Sequence, residues 1–238
     1  MKTEILFPEV ANLCGDLMNV TYLRQCCPEM EVVETGLKDR PAFLDGGVDL
    51  VYVGSATERG LQLMVKALAP YRAELERYVD GGGLMLATGN ALDALGEYVV
   101  IDGKRAFDGL GILKTHAEYH MMKRHNSFLL GSFQDMEIVG FKSLFGHTYP
   151  DDELANPLFR VKRGVGRHPG AFAEGFLRGG LMATYLIGPL LPLNPPFTRY
   201  LLEQMGAKDV KLAFEDTAMK AYRARVEEFR DEKRGYQY

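Results

Sequence analysis

The sequence predicts an α/β fold: a doubly wound, mainly parallel sheet with antiparallel strands added in its second half. Near-unbroken apolar runs at 48–53 and 84–87 suit strands buried on both faces of a parallel sheet. Amphipathic stretches with helical spacing lie between these runs, which implies βαβ units. In the second half that periodicity gives way to short strands and glycine turns, the pattern of hairpins.

In chain order, the apolar run at 5–7 predicts a first strand that stops at Pro8. Val20, Leu23 and Cys27 are spaced for one face of a helix over 19–26. β-Branched Val32 and Val33 predict a strand at 31–34, and 48–53 is the next. Residues 58–79 read as helix, with Leu61, Met64, Val65, Leu68, Leu75 and Val79 on one face, divided or bent at Pro70. A glycine turn at 81–83 leads into the strand at 84–87. Asp102-Gly103, between segments 98–101 and 105–107, is a strong hairpin signal. Strands follow at 114–122, 127–133, 137–141, 158–161, 175–177 and 181–186, the last two joined by Arg178-Gly179-Gly180. Asn194 is placed to cap a helix running to Met205, with Pro195 at its first position. A charged helix at 216–234 carries Ala218, Tyr222, Val226 and Phe229 on one face. No internal repeat or low-complexity linker interrupts the pattern. Residues 1–206 are therefore expected to form one domain, with 207–238 as its C-terminal helical extension.

Composition narrows the function. The chain has 238 residues, 47% hydrophobic and 25% charged, which excludes wholesale disorder. A formal charge of -4 argues against a nucleic-acid binder that neutralises phosphates. No apolar run approaches the ~18 residues of a membrane span, and no basic segment precedes an apolar stretch at Met1, so neither span nor leader is expected. Three cysteines, Cys26 and Cys27 adjacent, exclude a disulfide scaffold and point to reduced thiols in a cytoplasm.

Several segments are candidates for chemistry. Asn12-Leu13-Cys14-Gly15-Asp16 follows the first strand, where doubly wound folds place functional residues. The alternative is a turn in which Asp16 caps the next helix. Gly54-Ser55-Ala56-Thr57-Glu58-Arg59 also follows a buried strand and opens a helix, a place where backbone N–H groups hold anions. It is neither a Walker loop nor GxGxxG, so no nucleotide cofactor is expected. Residues 84–96 have the layout of a nucleophile elbow, with Thr88-Gly89-Asn90 at the turn. A Thr88 hydroxyl needs an adjacent base to act as nucleophile, and a tight turn without a reactive group is the simpler reading. His116, Glu118 and His120 alternate along a strand and share a face. They are the one metal-ligand candidate, and equally a solvated face. His125, His147 and His168 are isolated in sequence, and Cys26-Cys27 reads as packing.

Taken together, these segments resemble the class I glutamine amidotransferases of the cobyric acid synthase type, and within them the glutaminase subunit of lipid II isoglutaminyl synthase. Leu6-Phe7-Pro8 with Asn12–Asp16 and Asn19 is similar to that subfamily's LYP…NLYGDxGN opening. Residues 53–59 resemble its GGGxDRE loop, keeping Gly54 and Arg59 but with Ser55 and Ala56 in place of two glycines. Gly109-Leu110-Gly111-Ile112-Leu113 is similar to its GLGIL strand. Gly140-Phe141, Gly146, Thr148 and Tyr149 fit GFENHGGRTY without the central Glu-Asn-His. Residues 183–192 with Asn194 are close to GTYLHGPLLPKN, the most specific of the matches. The blocks keep order and spacing from Leu6 to about Met205. The resemblance implies a flavodoxin-like sheet.

It also implies where the chemistry is missing. The family's elbow cysteine, whose thiolate attacks the glutamine amide, aligns with Gly89. Its general-base histidine aligns with Ile187. Asp16, at the place of a candidate third triad member, is retained, and the oxyanion side of the elbow is altered to Asn90-Ala91. Loss of nucleophile and base together disables such a unit. The resemblance therefore implies a catalytically inactive glutamine amidotransferase-like protein. Its expected role is a non-catalytic subunit partnering a Mur-ligase-like or other amide-forming synthetase, in peptidoglycan or corrinoid amidation. Two alternatives stand beside it. One is a module binding a glutamine-like ligand through Gly54, Glu58, Arg59, Asn90, Lys123 and Arg124. The other is an enzyme with rewired chemistry, built on a metal at His116, Glu118 and His120.

Overall fold

The computed structural model describes residues 1–153 and 156–236. Its first half alternates strand and helix: β1 (Lys2–Leu6), α1 (Met18–Cys26), β2 (Glu31–Thr35), β3 (Leu50–Val53), α2 (Glu58–Leu68), α3 (Arg72–Asp80), β4 (Leu84–Thr88) and α4 (Ala91–Leu95). A single 3-10 turn at Ala69–Tyr71 separates α2 from α3, because Pro70 cannot donate to a continuing helix. The second half supplies β5 (Tyr98–Ile101), β6 (Lys104–Asp108), β7 (Thr115–Tyr119), β8 (His125–Phe133), β9 (Met136–Leu144), β10 (Gly146–Pro150), β11 (Phe159–Gly164), β12 (Ala173–Glu174), β13 (Phe176–Arg178) and β14 (Leu181–Thr184). Helices α5 (Leu190–Leu193), α6 (Pro195–Gln204) and α7 (Glu215–Arg230) follow.

The central sheet has the order β13-β14-β4-β3-β1-β2, parallel except for the β13–β14 hairpin. From β14 to β2 this is the flavodoxin-like order, whose switch point lies between β1 and β3. The apolar runs are two-faced. Val51, Met85 and Ala87 enter a core with Leu61, Met64 and Leu75 on one side. Leu50, Tyr52 and Leu86 enter another with Val20, Leu23 and Leu201 on the other. The aligned registers Val53↔Ala87, Ala183↔Ala87 and Thr184↔Thr88 bring the carboxyl ends of β3, β4 and β14 to one edge.

The remaining strands form two smaller sheets, β10-β7-β5-β6 and β12-β11-β8-β9. The Asp102-Gly103 turn is formed as expected, with both residues at positive φ. Helix α7 packs Val226 and Phe229 on Leu130 and Val139 of the second sheet. Several expected boundaries differ. Segment 109–113 is a strap, not a strand, because its N–H groups are drawn to the open end of α4: Leu110 donates to the Ala94 carbonyl and Leu113 to Leu95, both at 2.8 Å. The strand at 181–186 ends at Thr184, since the Tyr185 N–H turns to the Glu174 carboxylate. The last helix ends at Arg230 rather than 234. Strands β10 and β12 have no counterpart among the expected elements.

Asn194 corrects a capping expectation. Pro195 does open α6, but the Asn194 side chain makes no cap bond. Instead its Oδ1 accepts from the Val139 N–H and its Nδ2 donates to the Val139 carbonyl, each at 2.8 Å. Strand β9 is a sheet edge, and an unpaired buried edge needs partners. Asn194 supplies them at Val139, and the Ile187 N–H donates to Phe141 two residues on. Asn194→Ala should therefore destabilise the fold by about 1–3 kcal/mol for each orphaned backbone group. Urea unfolding checks this; a loss no larger than that of an ordinary surface substitution would refute the pinning role.

Candidate functional site

The loops at the carboxyl ends of β1, β3, β4 and β14 converge on one fully buried carboxylate, Asp16. Its Oδ2 accepts from the Ser55 N–H at 2.9 Å, the Ser55 hydroxyl at 2.8 Å and the Thr88 hydroxyl at 2.9 Å. Its Oδ1 accepts a longer bond from the Gly188 N–H at 3.4 Å. Burial raises the Asp16 pKa, and these hydrogen bonds oppose that rise. The Tyr52 hydroxyl braces the group from below, donating to the Asp16 carbonyl at 2.8 Å and meeting Thr88 Oγ1 at 2.8 Å. Asn19 continues the network, donating to Tyr52 and accepting from the Leu191 N–H. Asp16 thus does not cap α1; its side chain joins four connections. Gly54 belongs to the same packing: a Cβ there would lie 2.7 Å from the Ala11 carbonyl oxygen and 3.1 Å from the Asp16 Cβ.

The turn after β4 keeps the backbone of an elbow, with Gly89 at φ +61°. The two positions assigned by resemblance to nucleophile and base are neighbours in space. A Cβ built on Gly89 would fall 3.0 Å from Ile187 Cγ2 and only 2.4 Å from Ser55 Cβ. A cysteine side chain at 89 is thus excluded by Ser55 as well as absent, and the strained φ adds to its cost. Thr88 is buried, its hydroxyl is spent on Asp16 and Tyr52, and it does not line the cavity above the elbow. The backbone N–H of the β3 loop is also occupied. Asn90 accepts from the Ala56 N–H at 2.9 Å and donates to the Ala56 carbonyl at 2.8 Å. Cys14 is exposed at the rim, but burial and the Asp16 charge push its thiol pKa up, opposite to activation.

Above the elbow lies a cavity of about 340 Å³ lined by Cys14, Ser55, Glu58, Gly89, Asn90, Arg124 and Ile187, among others. Of the six residues expected to hold a ligand, Glu58, Asn90 and Arg124 reach this space. Gly54 serves beneath it, and Arg59 and Lys123 are exposed residues outside its lining. The Arg124 guanidinium is placed 4.6 Å over the Phe145 ring and bonds Ser143 Oγ at 3.4 Å. The metal candidate does not assemble. His116 stacks between Tyr98 and Tyr149 and approaches Glu118 at 3.5 Å. Among the described residues no three His, Cys, Asp or Glu side chains come together to hold an ion.

Sequence spacing missed two buried groups. Asp93 of α4 is 1% exposed and accepts from the Tyr119 and Tyr185 hydroxyls, each at 2.6 Å. Burial pushes its pKa up to about 7, against the two tyrosine bonds. His147 of β10 is not isolated: its ring centroid lies 4.3 Å from that of His125. Burial, then His125 and Lys142, push its imidazole down to about 3. Lys142 itself is buried against Glu174 at 2.8 Å.

No protein-family model matches the chain. It is 30% identical over 198 residues to the GatD subunit of lipid II isoglutaminyl synthase (glutamine-hydrolyzing) from Staphylococcus aureus strain N315, covering 81% of this chain and 79% of that protein. It is 23% identical over 224 residues to the Streptococcus pneumoniae subunit of the same name, covering 89% and 84%. Among solved structures, a glutamine amidotransferase superposes with a TM-score of 0.56 at 15% identity, covering 86% of this chain and 99% of that one. A chain of PurLQS from Thermotoga maritima superposes at 0.54 and 13% identity, covering 94% and 97%. These superpositions establish the fold.

The buried acid and the buried imidazole give opposite pH signatures. For Asp93 the folded pKa lies above the unfolded one, so the folded state binds more protons and stability falls as pH rises from about 4 to about 7. Asp16 adds to that side. For His147 the folded pKa lies below the unfolded one, so stability rises with pH between about 3 and 6.5. Asp93→Asn should tilt the stability profile of the protein upward with pH across this window, and His147→Phe should tilt it downward. Urea unfolding at a series of pH values reads both; parallel profiles for wild type and either variant would contradict the assignment.

Proposed function

The chain belongs to the GatD family of lipid II isoglutaminyl synthase subunits, and from that premise we propose that it is a member without glutaminase chemistry, serving as a non-catalytic subunit of an amide-forming ligase. The observation that carries this reading is the elbow: Gly89 and Ile187 face each other, and Ser55 fills the space a side chain at 89 requires. Glutamine hydrolysis by this fold needs a thiolate to attack the amide carbon, a base to shuttle the proton and free N–H donors for the oxyanion. Here the first two positions are apolar or empty, and the Ala56 N–H is bonded to Asn90. What persists is the scaffold, held by Asp16, Tyr52, Asn19 and Asn194. A scaffold kept without its chemistry supports a binding role, and the relatives' description as subunits supports a Mur-ligase-like or other amide-forming partner. Among the described residues no helix is long and apolar enough to cross a membrane.

The cavity above Gly89 favours a second reading, a small-molecule binding module. Arg124 and Glu58 offer the opposite charges that an amino acid's carboxylate and ammonium require. Calorimetric titration with glutamine, glutamate and cell-wall peptides separates the two: flat traces remove the module reading.

The purified chain should release no ammonia from glutamine, and it should co-purify with a ligase encoded beside it. Release at rates typical of the relatives would overturn the proposal. Gly89→Cys with Ile187→His should remain inactive and lower stability, because Ser55 still collides with the new side chain. Adding Ser55→Gly should relieve the stability loss. If the double variant already matches the triple variant in stability, the exclusion by Ser55 is refuted.

A further inference from the structure

The three sheets end in six edge strands, and an unpaired edge is a template for another chain. Four of these edges are engaged within the molecule. The Leu177 N–H of β13 donates to the Asn156 carbonyl, and the Thr148 N–H of β10 to that of Arg167. The Arg167 N–H donates to Ala173 of β12, and the Ile187 N–H to Phe141 of β9. Among the described residues the outer edges of β2 and β6 receive no such bond. The exposed charges on β2, Glu31 and Glu34, are both acidic, so two copies meeting there would repel. Strand β6 differs. It is exposed at every position but Phe107 and carries both signs, Lys104 and Arg105 with Asp108.

The ladder to β5 pairs Val99 with Phe107 and Val100 with Arg105, which leaves Ala106 as an extra residue, a bulge. In a regular strand, residues three apart point to opposite faces. The bulge brings Arg105 and Asp108 to the same one. The Arg105 guanidinium lies 4.3 Å over the Tyr98 ring and donates to Asp108 Oδ1 at 2.8 and 2.6 Å. Lys104, next to Arg105, leaves the strand on the other face.

We propose that β6 pairs antiparallel with β6 of a second copy of this chain, about a two-fold axis between Ala106 and Phe107. In that register Arg105 of each copy stands opposite Asp108 of the other, and the charges alternate in sign around the axis. Charges on an edge strand ordinarily keep copies apart. Arranged this way, they admit one partner in one register. A slip that centres the axis on Ala106 sets Asp108 opposite Lys104, whose side chain is on the wrong face to meet it. Because the pairing is isologous, one contact satisfies the free edges of both copies. The inference is independent of the loss of glutaminase chemistry, since no residue of β6 lines the cavity above Gly89.

Analytical ultracentrifugation of the full chain, from about 1 μM to about 500 μM, tests this. The wild type is expected to pass from monomer to dimer as concentration rises. Arg105→Asp sets like charges opposite each other on both sides of the axis and should raise the dissociation constant by about tenfold or more. Adding Asp108→Arg exchanges the two charges and should return the constant toward the wild-type value. Lys208→Glu, an exposed charge outside β6, should leave it unchanged. The proposal is overturned if the wild type stays monomeric throughout or if Arg105→Asp dimerises as the wild type does. It is equally overturned if the double variant is as weak as the single one, or if Lys208→Glu weakens the dimer as much. Should Arg105→Asp fail to fold, Asp108→Arg alone creates the same like-charge encounter and decides in its place.

Discussion

A single buried carboxylate sets the terms for the rest of this molecule. Asp16 accepts hydrogen bonds from the loop after β3, from the last residue of β4 and from the loop after β14, while its own loop follows β1. A carboxylate taken out of water is tolerated only when its lone pairs are filled, so these loops must all stay in place for any of them to do so. That mutual requirement accounts for Asp16, Asn19, Gly54 and Gly188 as one structural set. The constraint is on folding of the switch point.

The same bond accounts for the closure of the elbow. The Ser55 N–H is held by Asp16 Oδ2, and the backbone so fixed places the Ser55 Cβ in the volume above Gly89. In an elbow with a histidine opposite, a carboxylate in this region orients the base. With Ile187 there instead, Asp16 has only the neighbouring loops to bond, and Ser55 is the nearest donor. The Ile187 side and the filled space at Gly89 are thus linked through one side chain, Asp16, by way of Ser55 and Gly188.

Much of the fold was legible in the sequence because its signals are local. The two-faced strands at 50–53 and 84–88, the break at Pro70 and the Asp102-Gly103 turn each follow from a few adjacent residues. Asn194 misled because its residue type fits a helix cap, whereas the edge of β9, fifty-five positions away, made the stronger demand. Segment 109–113 misled for the same reason: the open carbonyls of α4 outbid any strand partner. At the site, the motif positions of Asp16, Gly89, Asn90 and Ile187 were readable and are brought together. Ser55 as an obstacle was not, since a collision distance has no sequence signature. The pairing of His125 with His147 arises from two strands of different sheets, and spacing along the chain carries no trace of it.

The reciprocal bond pair between the Asn90 carboxamide and the Ala56 peptide works like one rung of a β-ladder laid between two loops. A carboxamide side chain is a close chemical copy of the peptide group it meets. The rung therefore locks the β3 and β4 connections to each other without help from any bound molecule. Loops fixed in this way lose little conformational freedom when something docks on them, and association with them is preorganised rather than coupled to folding. The face they form is a preset template.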